Sequence, residues 1–120
     1  MIRNVVLGRL DPSADEETRF GLDAGLLGLA GMRPAGLVGP MRIGFDAGLR
    51  DGGWSFAITN DWVDAAAYQA YDTDPEHGEF RKLVGKACSE MARVQFETPD
   101  LPLEDRDPAL PGGNPEPMGL

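Results

Sequence analysis

From Ile2 to Leu10 the chain reads Ile-Arg-Asn-Val-Val-Leu-Gly-Arg-Leu, with apolar residues on both alternating faces. A strand of this pattern has no side to leave in water, so it belongs in a sheet that is covered on both faces. That requirement governs how the remaining segments can be arranged around it.

The following segments supply one of the two covers. Ser13-Ala14-Asp15-Glu16 fits a capping box, with serine hydroxyl and glutamate carboxylate satisfying free N–H groups at a helix start. The helix it opens ends near Ala30-Gly31 and draws its apolar stripe from Phe20, Leu22, Leu26, Leu27 and Leu29. Gly21, Gly25 and Gly28 each weaken it by roughly 1 kcal/mol relative to alanine, so tertiary packing has to hold it. Gly36 to Phe45 is extended, and Pro40 within it removes a ladder donor and points to an edge strand or a bulge. Asp51-Gly52-Gly53 turns the chain into a third strand, Trp54 to Thr59, and the pair reads as a hairpin. Asp64 caps a short helix running to Tyr71, and Asp74-Pro75 starts another that is expected to reach about Glu90. Last, Ala92, Val94 and Phe96 alternate with Arg93, Gln95 and Glu97, the pattern of a strand with one buried and one polar face.

The order is β-α-β-β-α-β with the second helical region split. It predicts an α+β domain over 1–98, a four-stranded antiparallel sheet carrying its helices on one face. The other face still needs a cover, and a second copy of the chain is the simplest one, so a homodimer is expected. Beyond Thr98 the composition changes to scattered prolines, acidic residues and Gly112-Gly113. The segment 99–120 has too little apolar surface for a core and reads as a flexible terminus. The alternative is an arm that lies on a partner subunit or closes over a pocket. A net charge of −9 speaks against nucleic-acid and anionic-membrane partners and leaves small neutral or apolar ligands open. Cys88 is the only cysteine, and no apolar run has signal-peptide or membrane-spanning length, so a cytoplasmic protein is expected.

Chemistry concentrates in one segment, Y-D-T-D-P-E-H-G-E-F over residues 71–80, which holds the chain's only histidine, His77. His77, Phe80, Val84, Ala87/Cys88 and Met91 recur at spacings of three and four and share a face directed at the sheet. A histidine near the positive end of a helix and partly desolvated has a lowered pKa, as a general base at neutral pH requires. The competing assignment is a first-turn residue packed on Phe80 or bonded to Asp74. Tyr71 and Tyr68 pose the same choice between proton donor and core filler. Asn4 shares a strand face with Ile2, Val6 and Gly8, and a buried amide there needs a backbone partner or a ligand. Trp54, Phe56, Ile58 and Trp62 read as core, with Phe56 a secondary candidate for lining a pocket. Asp72, Asp74, Glu76 and Glu79 read as a solvated acidic cluster and not as metal ligands. There is no phosphate loop, nucleophile elbow or dinucleotide fingerprint, and no cofactor is implied.

Taken together, I-R-N-V-V-L-G-R-L, G-W-S-F-A-I with Trp62 following, Y-Q-A-Y-D-T-D-P-E-H-G-E-F and the closing R-V-Q-F-E resemble the stress-responsive dimeric α+β barrel (Dabb) domains. The resemblance runs from Met1 to about Glu97. It implies a ferredoxin-like fold whose two copies close a dimeric α+β barrel. The best understood activity in that family is a plant polyketide cyclase that closes an aromatic ring by aldol chemistry without a cofactor. His77 and Tyr71 match its acid/base pair in type and spacing. By that resemblance His77 removes a proton from the carbon between two carbonyls, and Tyr71 orients the histidine or donates a hydrogen bond to the enolate. The cyclase carries histidines where this chain has Asn4 and Phe56.

Three function classes follow. The first is a cofactor-independent cyclase, lyase or isomerase acting on a small apolar carbonyl compound through His77 and Tyr71, with Asn4, Phe56, Phe80 and Val84 as substrate contacts. The second is a non-catalytic, stress-associated binding dimer. The third is a monooxygenase of the related dimeric barrel group, since Asn4, Trp62 and His77 are the residue types of a haem-degrading triad, although the tryptophan-to-histidine spacing of fifteen is wrong for it.

Overall fold

The computed structural model describes residues 1–99. Its elements are β1 (Ile2–Leu10), α1 (Glu16–Gly31), β2 (Leu37–Phe45), β3 (Phe56–Trp62), α2 (Ala65–Asp72), α3 (Pro75–Lys86) and β4 (Cys88–Glu97). The sheet order is β2-β3-β1-β4 with antiparallel neighbours throughout, the ferredoxin-like arrangement. β1 is an inner strand, as its double-sided apolar pattern requires. β2 is one edge, opposite β4, and its register slips between Val38 and Arg42, around Pro40. Proline thus sits where a missing ladder donor costs least. Among the described residues no helix is long and apolar enough to cross a membrane. The segment 100–120, which holds nearly all of the proline-rich tail, lies outside the described residues.

Several boundaries differ from the sequence expectation. The cap of α1 is Asp15, whose carboxylate accepts from the Thr18 N–H at 2.8 Å. Ser13 is drawn off instead to Asp11, whose Oδ1 accepts from both the Ser13 N–H and hydroxyl. β3 begins two residues later than expected and continues through Asn60, Asp61 and Trp62, because all three pair with β1. α3 stops at Lys86, four residues short of Glu90, and the chain re-enters the sheet where Cys88 pairs with Leu10. Met91 therefore belongs to β4 and not to the helix.

The stripe of α1 is narrower than its leucines indicated. Leu22, Leu26 and Leu29 are buried, whereas Phe20 is 65% and Leu27 76% exposed. The second contact surface of α1 is made of its glycines. A methyl group on Gly25 would lie 2.9 Å from the Phe80 carbonyl oxygen and 3.1 Å from Leu83 Cβ, and one on Gly28 would run into the Phe80 ring. The residues that weaken α1 as an isolated helix let α3 lie directly against its backbone. In β1, Gly8 plays a similar part, since any side chain there would occupy the space of the Phe56 ring.

Register divides the sheet residues into two sets. Asn4, Val6 and Gly8 of β1, Phe56, Ile58, Asn60 and Trp62 of β3, and Met91, Arg93 and Gln95 of β4 face the helices. Arg3, Val5 and Leu7, with Ala57, Thr59 and Asp61 and with Ala92, Val94 and Phe96, face the other way. The apolar side of β4 is therefore on the open face, where Val94 and Phe96 are exposed. The sheet is open, with no closure of its own within one chain.

Gly25→Ala tests the helix contact. Helix propensity alone predicts a gain of about 1 kcal/mol, whereas the backbone contact predicts a net loss of roughly 1–3 kcal/mol. A urea unfolding midpoint that rises in the variant would contradict the close approach.

Candidate functional site

Two aspartates bring the aromatic and imidazole rings together. Asp64 caps α2 by accepting from the Ala67 N–H at 2.8 Å, and Asp74 caps α3 by accepting from Glu76 N–H at 2.8 Å and His77 N–H at 3.2 Å. Pro75 at the start of α3 needs no N–H partner there. The chain thus breaks at Thr73, and Tyr71 in the last turn of α2 meets His77 in the first turn of α3. Their ring centroids are 4.1 Å apart with the planes inclined at 36°. The Tyr71 ring also rests on Trp62 at 4.6 Å. Trp62, at the end of β3, is wholly buried, so the three rings form a stack from the sheet outward to His77.

Beside this stack lies a cavity of about 40 Å³ between the sheet and the helices. Asn4, Tyr71, His77 and Val84 line it together with Tyr68, Asp72, Arg81, Met91 and Arg93. The other two residues expected to contact a ligand are elsewhere. Phe56 fills the space over Gly8 and meets Phe45 edge-on at 6.0 Å, and Phe80 covers Gly28 of α1. Their apolar character is used in packing α1 and β1. Arg93 and Gln95, by contrast, were read from sequence as the solvated side of β4, yet register turns that side towards the cavity.

A chain of three amides forms the polar floor, with Asn4 and Asn60 buried and Gln95 at its exposed end. Gln95 Nε2 donates to Asn4 Oδ1 at 2.9 Å, Asn4 Nδ2 donates to Asn60 Oδ1 at 3.1 Å, and Trp62 Nε1 donates to the same Asn60 oxygen at 2.6 Å. Asn60 is buried, and its Nδ2 finds no partner among the described residues. Asn60 was the signal missed in the sequence, because β3 was ended at Thr59. Asn4, for which a backbone bond was expected, is held by two side chains instead.

Burial depresses the pKa of His77, outweighing the opposing pull of the Asp72 carbonyl. Its Nδ1 lies 3.4 Å from that carbonyl oxygen, which can only accept, so the contact selects the Nδ1–H tautomer and leaves the Nε2 lone pair free. His77 thus combines both structural roles weighed against catalysis, a capped first turn and a stacked ring, with a neutral imidazole. Burial raises the Tyr71 pKa strongly, so its hydroxyl stays protonated. That hydroxyl makes no hydrogen bond to protein among the described residues. Desolvation raises the Tyr68 pKa as well. At the rim Asp72 pairs with Arg81 at 3.3 Å. With Asp74 used as a cap and Glu79 paired with Lys82, the acidic residues of this segment form no group suited to a metal ion among the described residues. Trp62 is sealed beneath Tyr71 with its indole N–H engaged by Asn60.

The depressed His77 pKa has a defined consequence for stability. The unfolded chain binds the proton more readily than the folded one, so the contribution of a neutral His77 is complete above its unfolded pKa of about 6.5 and is lost as pH falls through the lower folded value. Urea midpoints measured between about pH 7.5 and about pH 5.5 should fall for the wild type and fall less for His77→Gln. Equal slopes would place His77 in water.

No family model and no curated protein matches this chain. Solved structures do. A dimeric ferredoxin-like protein of unknown function from Thermobifida fusca superposes with a TM-score of 0.68 at 23% identity, over 81% of this chain and 90% of that one. The hydroxynitrile lyase of Passiflora edulis gives 0.64 at 18% identity, over 84% and 96%. A Dabb family protein from Mesorhizobium loti with a ferredoxin-like fold gives 0.61 at 20% identity, over 82% and 97%. The chain therefore has the ferredoxin-like fold on which dimeric proteins of unknown function, a Dabb family protein and a hydroxynitrile lyase are all built.

Proposed function

We propose that this protein is a homodimeric small-molecule enzyme that performs cofactor-free acid/base chemistry on a small carbonyl compound or its adduct. The observation that carries the proposal is the pairing of His77 and Tyr71 at one small cavity, the imidazole neutral and the phenol protonated. His77 Nε2 is the base. Tyr71 donates its hydrogen bond to the oxygen on which charge develops. With a β-dicarbonyl, His77 takes a proton from the central carbon and the electron pair passes into the enolate. With a hydroxynitrile, the substrate handled by the lyase of the same fold, His77 takes the hydroxyl proton. The carbonyl then forms, the carbon–carbon bond breaks, and cyanide leaves with its electron pair to take up a proton. Aldol ring closure of the polyketide cyclase type uses the same two groups on a longer substrate.

The dimer reading is supported by the open sheet face and by the dimeric proteins of this fold. Val5, Leu7, Ala57, Val94 and Phe96 share that face with the Arg3–Asp61 ion pair, whose Nε–Oδ1 distance is 2.8 Å. Two such faces packed together would cover the second side of β1. On this reading residues 1–98 act as the domain, and 99–120 form a terminal extension to it. A non-catalytic binding dimer is the second reading, favoured by the small size of the cavity, since small-molecule sites usually occupy about 300 Å³ or more.

Two experiments separate these. Cleavage of acetone cyanohydrin and proton exchange at the central carbon of acetylacetone should both be assayed. We expect His77→Ala to lose roughly 10²–10⁴ of any acceleration and Tyr71→Phe to lose less. No acceleration by the wild type, or an equally active His77→Ala, would transfer the assignment to the binding dimer. Independently, Val94→Glu should convert the dimer to a monomer in sedimentation velocity, and a wild-type monomer at all concentrations would remove the dimer from the reading.

A further inference from the structure

Hydrogen-bond donors outnumber acceptors around the cavity, and the direction of the amide chain follows from one group that cannot be reversed. An indole N–H only donates. Trp62 Nε1 at 2.6 Å therefore requires an oxygen on Asn60, which makes that atom Oδ1. Asn60 Oδ1 in turn requires the nitrogen of Asn4 at 3.1 Å, and Asn4 must present its oxygen to Gln95 at 2.9 Å. Trp62 thus sets the orientation of three amides, and Asn4 keeps a second Nδ2–H with no assigned partner. The Tyr71 hydroxyl is protonated and makes no hydrogen bond to protein among the described residues.

Charge points the same way. Among the described residues Asp72 is the one carboxylate lining the cavity, and it pairs with Arg81 at 3.3 Å. Arg93 also lines it and makes neither an ion pair nor a hydrogen bond among the described residues. Arg93 is thus a guanidinium without a partner among the described residues, at the pocket of a chain with net charge −9.

We infer that this pocket takes a small carboxylate, with Arg93 holding the carboxylate group and the Asn4 amide N–H donating to the neighbouring carbonyl or hydroxyl oxygen. The inference rests on the proposed function for the reacting end of the ligand and adds its charged end. The enclosed space, about 40 Å³, is far below the roughly 300 Å³ or more usual for small-molecule sites, so it admits only the reacting end of a short ligand, and the carboxylate stays outside it at the exposed Arg93. Short keto acids and hydroxy acids are the class that fits. A guanidinium and a carboxylate match in planar, two-point geometry, and a neutral ketone of the same size offers no such partner.

Acetoacetate and acetylacetone test this, being nearly the same shape and differing in the charged group. Binding is followed through the imidazole resonances of His77, the only histidine of the chain, at constant pH. Acetoacetate should bind about tenfold more tightly or better, a difference of about 1.4 kcal/mol. Arg93→Gln should bring its affinity down to that of acetylacetone, Arg93→Lys should keep part of the preference, and added salt should weaken it. Arg93 is exposed, so these variants should fold normally. Equal affinity for the two ligands, no saturable binding of either, or a preference that survives in Arg93→Gln would each overturn the inference. A carboxylate preference without turnover of any substrate upholds it while the catalytic reading falls. Cyanohydrin cleavage with no carboxylate preference does the reverse.

Discussion

The buried indole of Trp62 holds the site together by both its face and its edge. The ring supports Tyr71 at 4.6 Å, which in turn supports His77 at 4.1 Å, and the N–H orients Asn60 and through it Asn4. Stacking and hydrogen bonding from one side chain thus position an imidazole, a phenol and an amide around one cavity. Because Trp62 is wholly buried at the end of an inner strand, this arrangement is anchored to the sheet and not to the loop between α2 and α3. Aromatic pairs of this kind add about 0.5–1.5 kcal/mol beyond their area burial. The larger contribution here is geometric, since Tyr71 has a ring on each face and little freedom to rotate.

The helix layer depends on a second constraint, the approach of α3 to the glycines of α1. Phe80 lies across Gly28 and its carbonyl faces Gly25, which fixes how α3 sits over the sheet and so where its first turn delivers His77. The same contact explains why Phe80 is absent from the cavity although it is three residues from His77. A spacing of three or four places residues on one side of a helix, but that side here spans two neighbours, α1 and the cavity.

The charge distribution also follows from pairing geometry. β4 has one apolar and one polar set of alternating residues, and the simple expectation directs the apolar set inward. The pairing of β1 with both β3 and β4 does the opposite. Val94 and Phe96 go to the open face with Val5 and Leu7, and Arg93 and Gln95 go to the helix side, where they meet Asn4 and the cavity. The outward set leaves Val94 and Phe96 exposed on the open face, and the inward set brings Arg93 to the cavity.

Element types and order were legible in the sequence because period, caps and turn residues are local properties. The extended Ile2–Leu10 segment, the Asp64 and Asp74 caps, the Pro40 edge strand and the pairing of Tyr71 with His77 across a helix break all needed only neighbours in the chain. Which side of each strand faces the helices was not local. Alternation divides β4 into two sets but carries no sign, and only the register with β1 assigns Arg93 and Gln95 to the cavity. The fates of Phe56 and Phe80 were hidden for a similar reason, since each fills the gap over a glycine that is distant in sequence or on another helix. The amide chain links residues separated by 56 and 91 positions, so no window of sequence contains it. By itself the sequence determined the elements and the candidate acid/base pair, through backbone preference and short-range spacing. Tertiary structure alone decided what surrounds that pair, because burial, desolvation and hydrogen-bond direction arise only when distant segments meet.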